Sequence, residues 1–207
     1  MNAQQIKPSG IILAGGMSRR LGRNKAIETV GGQPLISRVI ARINQISDDL
    51  VVVIASPTQI SDLTLSDHIT TAVDIFEDKG SLGGIYTGLL STRNDWAFIA
   101  SCDMPFLNVN LIREMWNRRQ SYDAIVPILD ARPEPTHAFY SKKCLPYIKD
   151  QLELGDLKIS RMLNLINVDY VPQQDLEVYD PKHLSFFNIN TQEDLDRAMD
   201  LSLEEQQ

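Results

Sequence analysis

Arg19, Arg20, Arg23 and Lys25 put four cations within seven residues, shortly after the adjacent glycines Gly15 and Gly16. Glycine backbone lets a phosphate approach closely because no side chain intervenes, and clustered cations offset phosphate charge. The chain itself is acidic, with a formal net charge of -7. The cluster therefore points to a local anion site. It is neither GxxxxGK[ST], since Gly22 is followed by Arg23, nor GxGxxG, since Gly15 and Gly16 are adjacent; GTPase and dinucleotide-dehydrogenase readings are weakened accordingly. The bland alternative is a turn whose glycines serve geometry and whose arginines face solvent.

Two carboxylates are candidates to complete such a site. Asp103 closes the apolar run in ASCDMPFL and precedes Pro105. A hard magnesium ion prefers carboxylate oxygen, commonly one or two from the protein and the rest from phosphates and water, so Asp103 is the candidate metal ligand. Asp74 closes TAVD ahead of the glycine-rich GSLGGIYTGL. Taken alone, either aspartate serves equally well as a turn or helix cap.

These residues need rigid elements behind them. Short apolar runs read as buried strands over residues 10–14, 50–55, 71–74, 96–101, 124–126 and 136–140. Helices are expected after Pro34, where Leu35, Ile36, Val39, Ile40, Ile43 and Ile46 share one face, and over 82–90, 108–119, 141–152 and 191–199. Thr191 with Asp194 has the spacing of a capping box, with Asp for the usual Glu. Alternating strands and helices imply a three-layer αβα, Rossmann-like fold with a mostly parallel sheet, in which ligands bind beyond the carboxyl ends of the strands. Residues 1–207 are expected to form one domain.

Composition narrows the class. With 43% hydrophobic and 23% charged residues the chain is ordinary for a globular protein, and its acidity opposes a broad nucleic-acid surface. No run reaches the ~20 apolar residues that span a bilayer, and the start lacks a signal-peptide layout, so a cytoplasmic location and no membrane partner are expected. Cys102 and Cys144 show no metal spacing and no CxxC pair. The tail from Leu201 to Gln207 is expected to fray.

Residues 13–25, LAGGMSRRLGRNK, resemble the signature LAGGxSxRMGxDK of the molybdenum cofactor guanylyltransferase (MobA-type) family of nucleotidyltransferases. Leu21 replaces its Met and Asn24 its Asp. Cytidylyltransferase relatives usually read LAAG, so Gly15 followed by Gly16 favours GTP over CTP. Three further segments follow in the family's order: CDMPF at 102–106, ARPEPTHAFY at 131–140 and FFNINTQEDL at 186–195, where Gln192 replaces a proline. The resemblance implies that this chain moves GMP from GTP to the terminal phosphate of molybdopterin or molybdenum-molybdopterin, releasing pyrophosphate.

By the same resemblance, backbone at Leu13, Ala14, Gly15 and Gly16 meets the nucleotide, and Arg20 and Lys25 neutralise the triphosphate. Asp103 holds magnesium, while Asp74 belongs to nucleotide binding, where a carboxylate can accept two hydrogen bonds from the guanine edge. Asn188 and Asn190, alternating around Ile189 as in a strand, orient a phosphate or a metal-bound water. Arg132, His137 and Lys158 are candidates for the second substrate, although His137 reads more readily as a packed strand residue. The family's usual Asn after the second strand is absent: Ile54 stands there, with Ser56 two residues on as the candidate substitute. Proteins that deliver the cofactor, or molybdoenzymes that receive it, are implied partners. A cytidylyltransferase of the same fold, another small-molecule nucleotidyltransferase and a non-catalytic nucleotide-binding regulator remain alternatives.

Overall fold

Leu50–Ile54, LVVVI, is buried along its whole length, a pattern that only a strand covered on both faces satisfies. It lies inside a mixed sheet in the structure, a computed structural model that describes residues 7–15 and 25–205. Strand β1 (Ser9–Leu13) leads through the short antiparallel pair β2 (Thr29–Val30) and β3 (Gln33–Pro34) into helix α1 (Leu35–Ile43) and then β4 (Leu50–Ile54). After β5 (Thr70–Val73), helix α2 (Gly80–Ser91) carries the chain back across the sheet to β6 (Trp96–Ser101). Helix α3 (Val109–Asn117), β7 (Ala124–Leu129), β8 (Arg132–Pro133) and β9 (His137–Ser141) come next. Then follow α4 (Leu145–Glu153), α5 (Ile159–Leu163), β10 (Val168–Val171), α6 (Gln173–Glu177) and α7 (Gln192–Glu204).

The sheet order is β10-β7-β9-β6-β1-β4-β5, with β8 paired to β7. Parallel pairing holds throughout except at β9, antiparallel to both neighbours, and at β8. From β1 the chain steps outward to β4 and β5, then returns to place β6 on the other side of β1. That reversal opens a crevice at the carboxyl ends of β1 and β6, where an open α/β sheet binds its ligand.

Alternation along the strands sends side chains into two layers. Ile12, Val52 and Ile54 meet Ile36, Val39 and Ile43 of α1 and Ile112 and Met115 of α3. On the other face, Ile11, Val51 and Val53 meet Leu82, Ile85 and Leu89 of α2 and Ile148 and Leu152 of α4. Each such side chain contributes about 1.5–3 kcal/mol on burial. A Cβ on Gly88 would lie 2.6 Å from Ile11 Cγ2, so α2 sits this close to β1 only because glycine is there. A third, smaller cluster of Val30, Leu35, Phe106, Ile189, Leu195 and Ala198 docks α7 beside the crevice.

Several elements depart from expectation. Asn188–Asn190 is not a strand: Ile189 donates its N–H to the Asp103 carbonyl at 3.0 Å, and no ladder forms. The helix expected from Ser141 begins as a 3-10 turn, Lys142–Cys144, and becomes α-helical where Pro146 suits the first turn. Rather than fraying from Leu201, α7 runs to Glu204, and Glu205 just beyond it is held by Arg38 and by Arg42, the latter at 2.8 Å. Among the described residues no helix is long and apolar enough to cross a membrane.

Candidate active site

Lys25 opens a 3-10 turn, Lys25–Ile27, that packs on α1, and its ammonium reaches into the crevice. Nζ donates to Asp103 Oδ2 at 2.9 Å and to Asn190 Oδ1 at 2.6 Å. The side chains of the ion pair are each only 12% exposed, so neither charge is freely solvated and removal of one strands the other. Asp103 Oδ1 is buried and accepts no hydrogen bond. That oxygen is left for a water or a cation, and the donor type fits magnesium. Among the described residues no group of three or more His, Cys, Asp or Glu is placed to hold a metal. Asp103 alone would share such an ion with substrate phosphates.

Asn190 is fixed from its carboxyl side. Its N–H and that of Thr191 both donate to Asp194 Oδ2 at 2.9 Å, while the Thr191 hydroxyl accepts the Asp194 N–H at 3.1 Å. The capping box read from sequence is present. Burial alone would raise the Asp194 carboxyl, but the Asn190 and Thr191 donors, with Lys25 nearby, hold it below the usual carboxylate range. The sequence reading missed the bond from Asn190, because nothing in capping-box spacing signals a second donor.

Beside this network lies a cavity of about 330 Å³ lined by Leu13, Gly15, Ile54, Asp74, Gly84 and Ser101, among others. Its backbone walls are partly committed to the sheet: the Leu13 carbonyl accepts from Cys102 at 3.1 Å, and Ala14 donates to Val53 at 2.8 Å. A Cβ on Gly15 would sit 2.9 Å from the Ala55 nitrogen, so this glycine is required by the close approach of the chain segments after β1 and β4. Asp74 Oδ1 is taken by the Thr87 hydroxyl at 2.8 Å and the Phe76 N–H at 3.1 Å. Asp74 is thus half-buried and half-spent. Both bonds fall on Oδ1, and the described residues form none to Oδ2.

The remaining candidates divide. Gly16 and Arg20, with the rest of the cation cluster before Lys25, lie outside the described residues. The Asn188 amide donates to the Phe186 carbonyl at 2.9 Å. Ser56 is occupied as a helix cap, accepting from Thr58 N–H, and Ile54 is wholly buried. Arg132 is exposed on β8, near the carboxyl end of β7, and Lys158 is exposed within its own turn, where its N–H donates to Asp156 at 3.2 Å. Burial pushes the Cys102 and Cys144 thiols up to about 12, so neither supplies a thiolate nucleophile.

His137 packs in the core, with Nε2 2.7 Å from the Ser185 hydroxyl, and burial pushes its imidazole down to about 4. An unfolded histidine titrates near pH 6.5. Between these values the unfolded chain binds the proton and the folded chain does not, so stability falls as pH falls through this window. The expected slope is about 1.4 kcal/mol per pH unit in its steepest part. Denaturant unfolding at about pH 6.5 and about pH 5 reads it, and His137→Gln should abolish that contribution.

Residues 10–173 match the model of the MobA-like NTP transferase domain. A molybdenum cofactor guanylyltransferase of Desulfosudis oleivorans is 38% identical over 192 residues, covering 92% of this chain and 93% of that one. A probable molybdenum cofactor guanylyltransferase of Natranaerobius thermophilus is 37% identical over 198 residues, with coverage of 92% and 94%. Among solved structures, molybdopterin-guanine dinucleotide biosynthesis protein A from Archaeoglobus fulgidus superimposes with a TM-score of 0.83 at 28% identity, covering 95% of this chain and 99% of that one.

Proposed function

Because the chain belongs to the MobA-like NTP transferase family, we propose that this nucleotidyltransferase transfers GMP from GTP to the terminal phosphate of molybdopterin or molybdenum-molybdopterin. The observation that carries the reading is the convergence of Lys25, Asn190 and the unspent oxygen of Asp103 at the strand reversal, beside a cavity. An oxygen of the acceptor phosphate attacks the α-phosphorus of GTP. The bond from that phosphorus to the bridging oxygen breaks, and pyrophosphate leaves. Such chemistry needs placement and charge neutralisation more than a covalent nucleophile.

Asp103 would hold magnesium, which when bound would supply polarisation of the α-phosphate and shielding of negative charge. Lys25 meets charge gathering on the leaving pyrophosphate, with Arg20 assigned the same task by resemblance. Leu13 and Gly15 line the nucleotide cavity, and Asp74 Oδ2 faces the donors of the guanine edge. By resemblance, Arg132 and Lys158 serve the acceptor. Proteins delivering molybdopterin, or molybdoenzymes taking the product, would complete the route in a cytoplasmic setting without nucleic acid or membrane.

Pyrophosphate release with magnesium and molybdopterin, compared for GTP and CTP, tests the reading, with mass spectrometry of the product. GTP should exceed CTP by ~10⁴-fold in kcat/KM, the scale of a site that reads hydrogen-bonding groups. Preference for CTP would make the chain a cytidylyltransferase; GTP bound without pyrophosphate release would make it a regulator.

A further inference from the structure

We propose that Asp194 is a positioning residue for the transfer site, fixing Asn190 so that its amide oxygen anchors the Lys25 ammonium in the crevice. The inference rests on the reading of Lys25 as the phosphate-binding cation. In an ordinary capping box the acidic side chain returns only to the N–H of the cap residue. Here one oxygen, Asp194 Oδ2, takes the N–H of the cap, Thr191, and also that of Asn190, both at 2.9 Å. The two bonds fix the backbone on either side of the Asn190 to Thr191 peptide. From the other side, Ile189 is wholly buried and tied by its N–H to the Asp103 carbonyl at 3.0 Å.

Asn190 is itself exposed and has little packing to hold it; its orientation derives from these two clamps. The outcome is a neutral acceptor 2.6 Å from Lys25 Nζ, opposite the carboxylate at 2.9 Å. A neutral partner keeps an ammonium in place without cancelling its charge, which leaves that charge available to a phosphate. Deprived of Asp194, Asn190 would turn freely and Lys25 would be left to Asp103 alone.

A comparison of Asp194→Ala, Thr191→Ala, Asn190→Ala and the double variant Asn190→Ala/Asp194→Ala tests this. Both cap variants should lower Tm by a similar amount, about 2–4 °C. Thr191→Ala should keep kcat/KM for GTP within about twofold, while Asp194→Ala loses about tenfold and the double variant is no worse than Asn190→Ala alone. Asp194→Asn, which keeps an oxygen for both N–H groups, should recover most of the loss and covers the case in which Asp194→Ala fails to fold.

Amide hydrogen exchange reads the contact without turnover: the Asn190 N–H should lose protection in Asp194→Ala and keep it in Thr191→Ala. Equal kinetic losses in the two cap variants, additive losses in the double variant, or an Asn190 amide indifferent to Asp194 would overturn the proposal. Absence of pyrophosphate release by the unaltered enzyme, with the exchange pattern intact, would instead sink the catalytic reading on which it rests.

Discussion

Asp103→Asn is expected to lower turnover about 10³-fold while GTP affinity changes only a few-fold. The substitution is isosteric, and the backbone carbonyl that receives the Ile189 N–H is untouched. What disappears is the negative charge on a buried group whose Oδ1 has no hydrogen-bonding partner and whose Oδ2 faces Lys25. A neutral amide ligates magnesium weakly and presents an N–H where an acceptor is needed. Steady-state kcat measured beside calorimetric GTP binding separates the two effects. Equal losses in both would show that Asp103 only holds the nucleotide.

Lys25→Met is expected to act on stability and catalysis together. Loss of the ammonium should reduce kcat/KM for GTP about 10²-fold, the scale for removing one preorganised charge or donor from a developing anion. It also leaves the mostly buried Asp103 carboxylate without its counter-charge, at a cost on the order of 3 kcal/mol. The double variant Lys25→Met/Asp103→Asn separates these terms: it should regain most of the lost stability, since no unpaired charge remains, and none of the activity. Thermal unfolding beside kinetics reads both. Recovery of turnover in the double variant would mean that the pair is structural.

The sheet was legible because its inner strands are uninterrupted apolar runs. LVVVI in β4 and WAFIAS in β6 have no other comfortable environment. Strand β10 was not legible: VDYV is half-exposed at the sheet edge, and its Asp169 is committed to Arg118 at 2.6 Å rather than to a polar alternation. Three residues, Asn188–Asn190, were too few to distinguish a strand from an extended loop, and the tie to the Asp103 carbonyl decided it.

At the site, the resemblance assigned Lys25, Asp103 and Asn190 to the phosphates and the metal, but not the contacts that Lys25 makes with partners 78 and 165 residues away. Nor did it give how the oxygens are spent. Thr87 claims Asp74 from α2, Phe186 claims Asn188, and Asp194 claims the Asn190 N–H. The first depends on the docking of α2 against the segment after β5; the other two are local and follow from the backbone path that leads into α7, which residue types alone do not give.

Following the label from GTP carrying a marked α-phosphorus, with the enzyme, magnesium and molybdopterin present, tests the central claim most directly. The α-label should move into a molybdopterin product that also contains guanine, with one pyrophosphate released for each transfer. Label that stays in GTP or GDP, or transfer of the γ-phosphate instead, would contradict it.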